Sequence, residues 1–117
     1  MYTVIYYVSR RGDNYAAEFV RGLPRKVGRK IAEHVGYLAS AGPLARPQYV
    51  SYLEDRIFEL RVTFAHYEPR ILYFFNGSEI VLTYGFLKKT RAVPTGEIER
   101  AKRIRAEYLA RTAEENI

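Results

Sequence analysis

The spacing of apolar and polar positions changes several times along the chain. From Tyr2 to Ser9, β-branched and aromatic residues occupy both faces, which predicts a buried strand, central or nearly so in its sheet. Arg10-Arg11-Gly12-Asp13 reads as a turn. Asn14 is placed to cap a helix whose apolar positions are Ala16, Phe19, Val20 and Leu23. Gly22 breaks that helix, and Pro24 suits the first turn of a second. There Val27, Ile31, Val35 and Leu38 follow at spacings of four, four and three, a single apolar stripe. Gly42-Pro43 ends it. The two helices make a hairpin whose outer face is rich in arginine and lysine.

After a loop over 41–47 the period becomes two. Arg56 to Phe64 alternates Phe58, Leu60 and Val62 with Glu59, Arg61 and Thr63. Arg70 to Phe75 and Glu79 to Phe86 are apolar runs joined at Asn76-Gly77, a strong hairpin signal. Pro94 and Thr95 open a last helix with Ile98, Ala101, Ile104 or Arg105, and Tyr108 inward. The tail from Glu114 to Ile117 is expected to fray. The order is β-α-α-β-β-β-α in one domain over 1–117. This is an α+β fold: a mostly antiparallel sheet with helices on one face, the helical hairpin packed there, and a C-terminal helix.

Treating Asn76-Gly77 as a two-residue loop sets Phe75 opposite Ser78, Leu72 opposite Val81 and Arg70 opposite Thr83. The core face then holds Ile71, Tyr73, Phe75, Ile80, Leu82 and Tyr84, joined by Phe58, Leu60 and Val62. A slip by one residue would bury Glu59 and Arg61, so burial forces this choice. The other, open face carries Glu59, Arg61, Thr63, Arg70 and Thr83, with Lys88 and Lys89 just beyond. Arginine grips phosphate through a planar fork of donors and stabilises the charge that grows on it during cleavage. The alternative is that Arg61 simply pairs with Glu59 or Glu68.

Composition narrows the function. With 117 residues, 48% hydrophobic and 27% charged, the chain can build a core. No apolar run approaches the ~18 residues of a membrane span, and Met1 to Ile5 lacks the look of a secretory signal. There is no cysteine, which excludes disulfides, thiolate nucleophiles and cysteine-bound zinc and fits a cytoplasmic location. His34 and His66 form no H-x-x-x-H pair, so neither a metal nor a cofactor is expected.

The net charge is +6, and it is concentrated. Residues 10–30 hold seven bases against two acids, and residues 85–105 repeat that balance, each block netting +5. Two basic blocks point to a polyanion, most simply nucleic acid, the other reading being solvated helix surfaces. Tyr49, Tyr52 and Tyr67 are candidates to stack on unpaired bases. His66 is either a proton shuttle or merely exposed, and His34 is assigned no role.

Several stretches resemble the HigB-like, phage-derived branch of the RelE/ParE toxin superfamily. They are Ile57-Phe58-Glu59-Leu60-Arg61, then Pro69-Arg70-Ile71-Leu72-Tyr73-Phe74-Phe75, then Ile80-Val81-Leu82-Thr83-Tyr84-Gly85-Phe86-Leu87-Lys88-Lys89-Thr90, and last Pro94 with Glu97-Ile98-Glu99-Arg100-Ala101. The resemblance covers nearly the whole chain in element order. It implies a RelE-like fold and the toxin of a type II toxin–antitoxin system. Such a toxin is a metal-independent endoribonuclease that cuts mRNA, usually at the ribosome, with the RNA's own 2′-hydroxyl as nucleophile. A cognate antitoxin, commonly a helix-turn-helix DNA-binding protein, would neutralise it.

On this resemblance Arg61, Arg70, Lys88 and Tyr84 are the catalytic candidates. Lys89, Arg91, Arg100, Lys102, Arg103, Arg25 and Lys26 are the RNA-binding ones. Many relatives read L-H-G-F where this chain has Thr83-Tyr84-Gly85-Phe86. Tyr84 is therefore either a packing residue or a proton-transfer group whose pKa the flanking cations would have to lower. Two other outcomes stay open: a ParE-like, non-enzymatic inhibitor of DNA gyrase, and an inactive member that only binds RNA or antitoxin.

Overall fold

A computed structural model of the chain describes residues 1–116. The elements are β1 (Thr3–Tyr6), α1 (Tyr15–Arg21), α2 (Arg25–Ala41), a 3-10 turn at Gly42–Leu44, β2 (Val50–Glu54), β3 (Ile57–Arg61), β4 (Pro69–Asn76), β5 (Glu79–Leu87) and α3 (Thr95–Glu115). One five-stranded sheet runs in the order β1-β5-β4-β3-β2. Only the β1–β5 pair is parallel. No helix among the described residues is long and apolar enough to cross a membrane.

The helical hairpin forms where expected. The Asn14 side chain accepts the Ala17 amide at 3.0 Å, capping α1. Val27, Ile31, Val35 and Leu38 are buried against Leu60, Val62, Ile71, Tyr73, Ile80 and Leu82, the core face deduced from alternation. A Cβ on Gly85 would run into the Phe19 ring, so glycine is what lets α1 lie close on β5.

Five expectations are corrected. First, α3 covers the opposite face of the sheet, so helices flank both sides. Ala101 and Ile104 pack with Tyr7, Ile57, Leu72, Phe74, Val81 and Tyr84 in a second core. The face holding Glu59, Arg61 and Arg70 is therefore not open. Second, β1 is an edge strand. Its apolar residues serve both cores, which is why it reads like a central one. Third, β2 is a further strand, paired with β3 through a turn in which Asp55 and Arg56 have φ of 47° and 63°. It is short, at the edge and irregular after Tyr52, so alternation does not reveal it.

Fourth, the β4–β5 loop is Gly77-Ser78, with Gly77 at φ 59° and Asn76 opposite Glu79. The shift from the expected register is two residues, so the faces survive it. Fifth, the ladder slips at Thr83: Tyr73 faces Leu82, but Leu72 faces Tyr84. This β-bulge turns Tyr84 out of the hairpin core and into the α3 core. At the C-terminus the helix continues through Glu115, past the point where fraying was expected, and Ile117 lies outside the described residues.

Candidate functional site

Arg61 and Arg70 are direct partners across β3 and β4, on the face alternation assigns them. Arg70 is 4% exposed; both its terminal nitrogens donate hydrogen bonds, while its buried Nε faces Glu59 without one. It sits 3.6 Å from Glu59 and 3.1 Å from Glu68, and it donates to the carbonyls of Pro69 and Val62 at 3.0 and 3.2 Å. Glu59 is itself buried. The guanidinium of Arg61 donates to the Pro47 carbonyl. The alternative pairing foreseen for Arg61 belongs to Arg70, which takes both carboxylates.

Beyond Leu87 the ladder continues by one bond, Lys88 N–H to the Glu68 carbonyl at 3.0 Å. Alternation puts Lys88 on the face of Tyr84 and Phe86. Between this strand end, α1 and the start of α3 lies a cleft of about 600 Å³, lined by Phe19, Phe86, Lys89, Pro94 and Glu97 among others.

Tyr84 reaches one lining residue of this cleft, Glu97, from the α3 core. Its ring is buried, and its hydroxyl lies 2.7 Å from Glu97 Oε1 and 2.8 Å from the Glu97 carbonyl. One phenolic proton thus faces two acceptors of the same residue. Burial pushes the phenol well above the usual tyrosine range, and Glu97 adds to this. Arg100 and Arg103 offset only part of it. The cations therefore do not lower the Tyr84 pKa: desolvation wins, and the phenol stays protonated as a donor.

The Arg100 guanidinium lies over the Tyr84 ring, 4.0 Å from its centroid, and 5.0 Å from that of Tyr15. Among the described residues, Arg100, Arg103, Lys88, Lys89 and Arg91 have no carboxylate within ion-pair distance. Lys102 differs. It bridges Glu54 at 2.5 Å and Glu99 at 3.4 Å, and Arg105 next to it binds Asp55 at 2.9 Å. These two side chains clamp α3 to the β2–β3 turn.

Arg25 and Lys26 are exposed in the first turn of α2, which lacks any acid to balance them. Since α2 and α3 pack on opposite faces, the two basic blocks flank the sheet from either side.

His66 is exposed at the β3–β4 turn, with its ring 4.4 Å from that of Tyr67. His34 packs edge-on against Tyr49 at 5.2 Å, and burial first, then Lys30, lowers its pKa. Of the three tyrosines considered for base stacking, Tyr52 is the exposed one, at 58%. No group of three or more His, Asp or Glu side chains among the described residues is arranged to hold a metal ion.

Sequence alone missed Glu97 and Tyr15. An acid three residues after Pro94 reads as ordinary helix-start chemistry. Nothing local shows that it meets a phenol thirteen residues away.

This architecture is that of RelE. The chain is similar to a chain of the archaeal RelE–RelB complex from Pyrococcus horikoshii, with 21% identity and a TM-score of 0.52 over 78% of this chain and 98% of that one. No curated protein sequence matches it. The family model of phage-derived Gp49-like proteins matches residues 18–106, most of the length, and the chain belongs to that family. The resemblance to the RelE/ParE superfamily carried by residues 57–101 thus agrees with both family and fold.

Proposed function

We propose that this protein is the toxin of a type II toxin–antitoxin pair, a metal-independent endoribonuclease. In this reading it cuts mRNA in company with the ribosome, in the cytoplasm, and a cognate antitoxin holds it in check. The observation that carries the proposal is a set of cations without a carboxylate at ion-pair distance among the described residues, Lys88, Lys89 and Arg91 just after β5 and Arg100 and Arg103 on α3. Lys89 lines the cleft with Glu97, and Arg100 lies over the Tyr84 ring whose hydroxyl binds Glu97. Cations left without carboxylates in a chain that pairs most of its acids fit a polyanionic ligand.

In this reading Arg100, pre-oriented between two tyrosine rings, presents donors to a phosphodiester, and Lys88 and Lys89 draw the backbone in. Stabilising the charge that grows on phosphorus oxygens is the main catalytic contribution, as suits a site without a metal-binding cluster. Tyr84 serves as a protonated donor. Arg70 and Arg61 act one step back, tying the ends of β3 and β4. Arg25 and Lys26 extend the basic surface. The antitoxin partner is proposed by analogy with RelE, whose structure was solved together with RelB.

The test is purified chain added to ribosomes programmed with a defined message. Cleavage within the translated region, suppressed by the protein encoded beside it, is the expected result. Intact message together with blocked DNA supercoiling by gyrase would overturn the ribonuclease reading.

A further inference from the structure

The ribonuclease reading leaves the proton acceptor unnamed, and the distribution of ion pairs narrows the choice. Most acidic side chains are committed to cations. Glu59 and Glu68 hold Arg70, Glu54 and Glu99 hold Lys102, Asp55 holds Arg105, and Glu107 and Glu114 hold Arg10. Among the described residues, Glu18, Glu79, Glu97 and Glu115 have no cation within ion-pair distance. Glu18 accepts the amide of Asn14 at the start of α1. Glu79 binds Asn76 and Tyr108 at the start of β5. Glu115 is exposed in the last turn of α3. Glu97 alone of the four lines the cleft that Lys89 also lines.

We infer that Glu97 is the general base of RNA cleavage and that Tyr84 is its positioning residue. The phenol donates to Oε1 at 2.7 Å and holds the carboxylate at the cleft wall. Oε2 makes no hydrogen bond within the described residues and is left to accept a proton. Arg100, stacked on the same tyrosine ring, sets a phosphate-binding guanidinium three residues further along α3. Base, base-holder and charge stabiliser thus share one small region, the arrangement that proton abstraction beside a phosphodiester requires.

The step balances without a further reagent. Glu97 takes the proton of the 2′-hydroxyl as the 2′-oxygen forms its bond to phosphorus. The bond from phosphorus to the 5′-oxygen breaks, and that oxygen takes a proton from solvent in the open cleft. Glu97 then returns its own proton to solvent. The products are a 2′,3′-cyclic phosphate and a 5′-hydroxyl. The inference rests on the ribonuclease reading, and the experiment separates the two.

The full chain and its variants are assayed under single-turnover conditions on ribosomes carrying a defined message, from acid to neutral pH. Melting curves and ribosome binding serve as folding controls. Glu97→Gln keeps an acceptor for Tyr84 and should slow cleavage about 10²–10⁴-fold, erasing the acid limb of the pH profile. Glu97→Asp, which keeps the carboxylate, should slow cleavage less and retain that limb. It serves as the second variant should glutamine disturb the fold. Tyr84→Phe should lower the single-turnover cleavage rate with ribosome binding unchanged and cost nothing further in the Glu97→Gln background, as expected of a residue acting through another. Wild-type cleavage with an unaltered rate and pH profile in Glu97→Gln overturns the role of Glu97 while sparing the ribonuclease reading. A wild-type chain that leaves the message whole overturns both.

Discussion

The Thr83 hydroxyl donates to the Leu72 carbonyl at 2.6 Å, inside the β-bulge that separates the two halves of the β4–β5 ladder. Both groups are shut off from water. The bulge is what brings Tyr84 under α3 and within reach of Glu97. Without it, Tyr84 would share a face with Ile80 and Leu82, away from every cation of α3.

Thr83→Val keeps the side-chain shape and removes the donor. It should destabilise the fold by about 1–3 kcal/mol, because a buried carbonyl loses its partner. Urea unfolding checks this, and an unchanged m-value would show that the loss is local.

Arg70 is central to the fold. Arg70→Ala leaves Glu59 buried opposite nothing and should cost about 3–5 kcal/mol. The expected result is a sharp fall in melting temperature, with any loss of activity following from it. Replacing both partners together, Arg70→Met with Glu59→Leu, should recover much of the stability, since paired removal leaves no orphan charge.

The free and the paired cations of α3 should separate in RNA binding. Arg100→Gln and Arg103→Gln should each flatten the dependence of log affinity on log salt by about 0.7, roughly one released counterion on single strands. Lys102→Gln should leave that slope unchanged, because Lys102 already faces Glu54 and Glu99. Titrations of a fluorescent single-stranded RNA at several salt concentrations measure all three.

Stability should fail in alkali through the tyrosines. Burial and Glu107 push the Tyr7 phenol up to about 12, and Tyr73, Tyr84 and Tyr108 are also raised. A phenol with a raised pKa stabilises the fold fully below its unfolded value near 10 and loses that contribution as pH climbs through the folded value. Unfolding free energy should therefore hold from neutral pH to about pH 10 and fall beyond it. Tyr7→Phe should make the fall shallower between pH 10 and about 12. His34 acts at the other end. Its lowered pKa makes its contribution present above 6.5 and lost as pH falls below.

The sequence by itself determined the helical hairpin, its apolar stripe and the partition of β3, β4 and early β5 between two faces. It also placed Arg61 and Arg70 on one face of the sheet and set two concentrated blocks of positive charge. These properties are local. An apolar spacing, a cap at Asn14 or a turn glycine acts through residues a few positions away, so it can be read from the chain. Only the tertiary structure decided which face α3 covers, that Val50–Glu54 adds an edge strand, and that the ladder slips at Thr83. It also decided which cations are spent. Lys102 meets Glu54 across 48 residues and Arg105 meets Asp55 across 50. In the sequence these bases look the same as Arg100 and Arg103. Whether a charge is neutralised or left free depends on what the fold brings within about 4 Å of it, and no period in the chain encodes that distance.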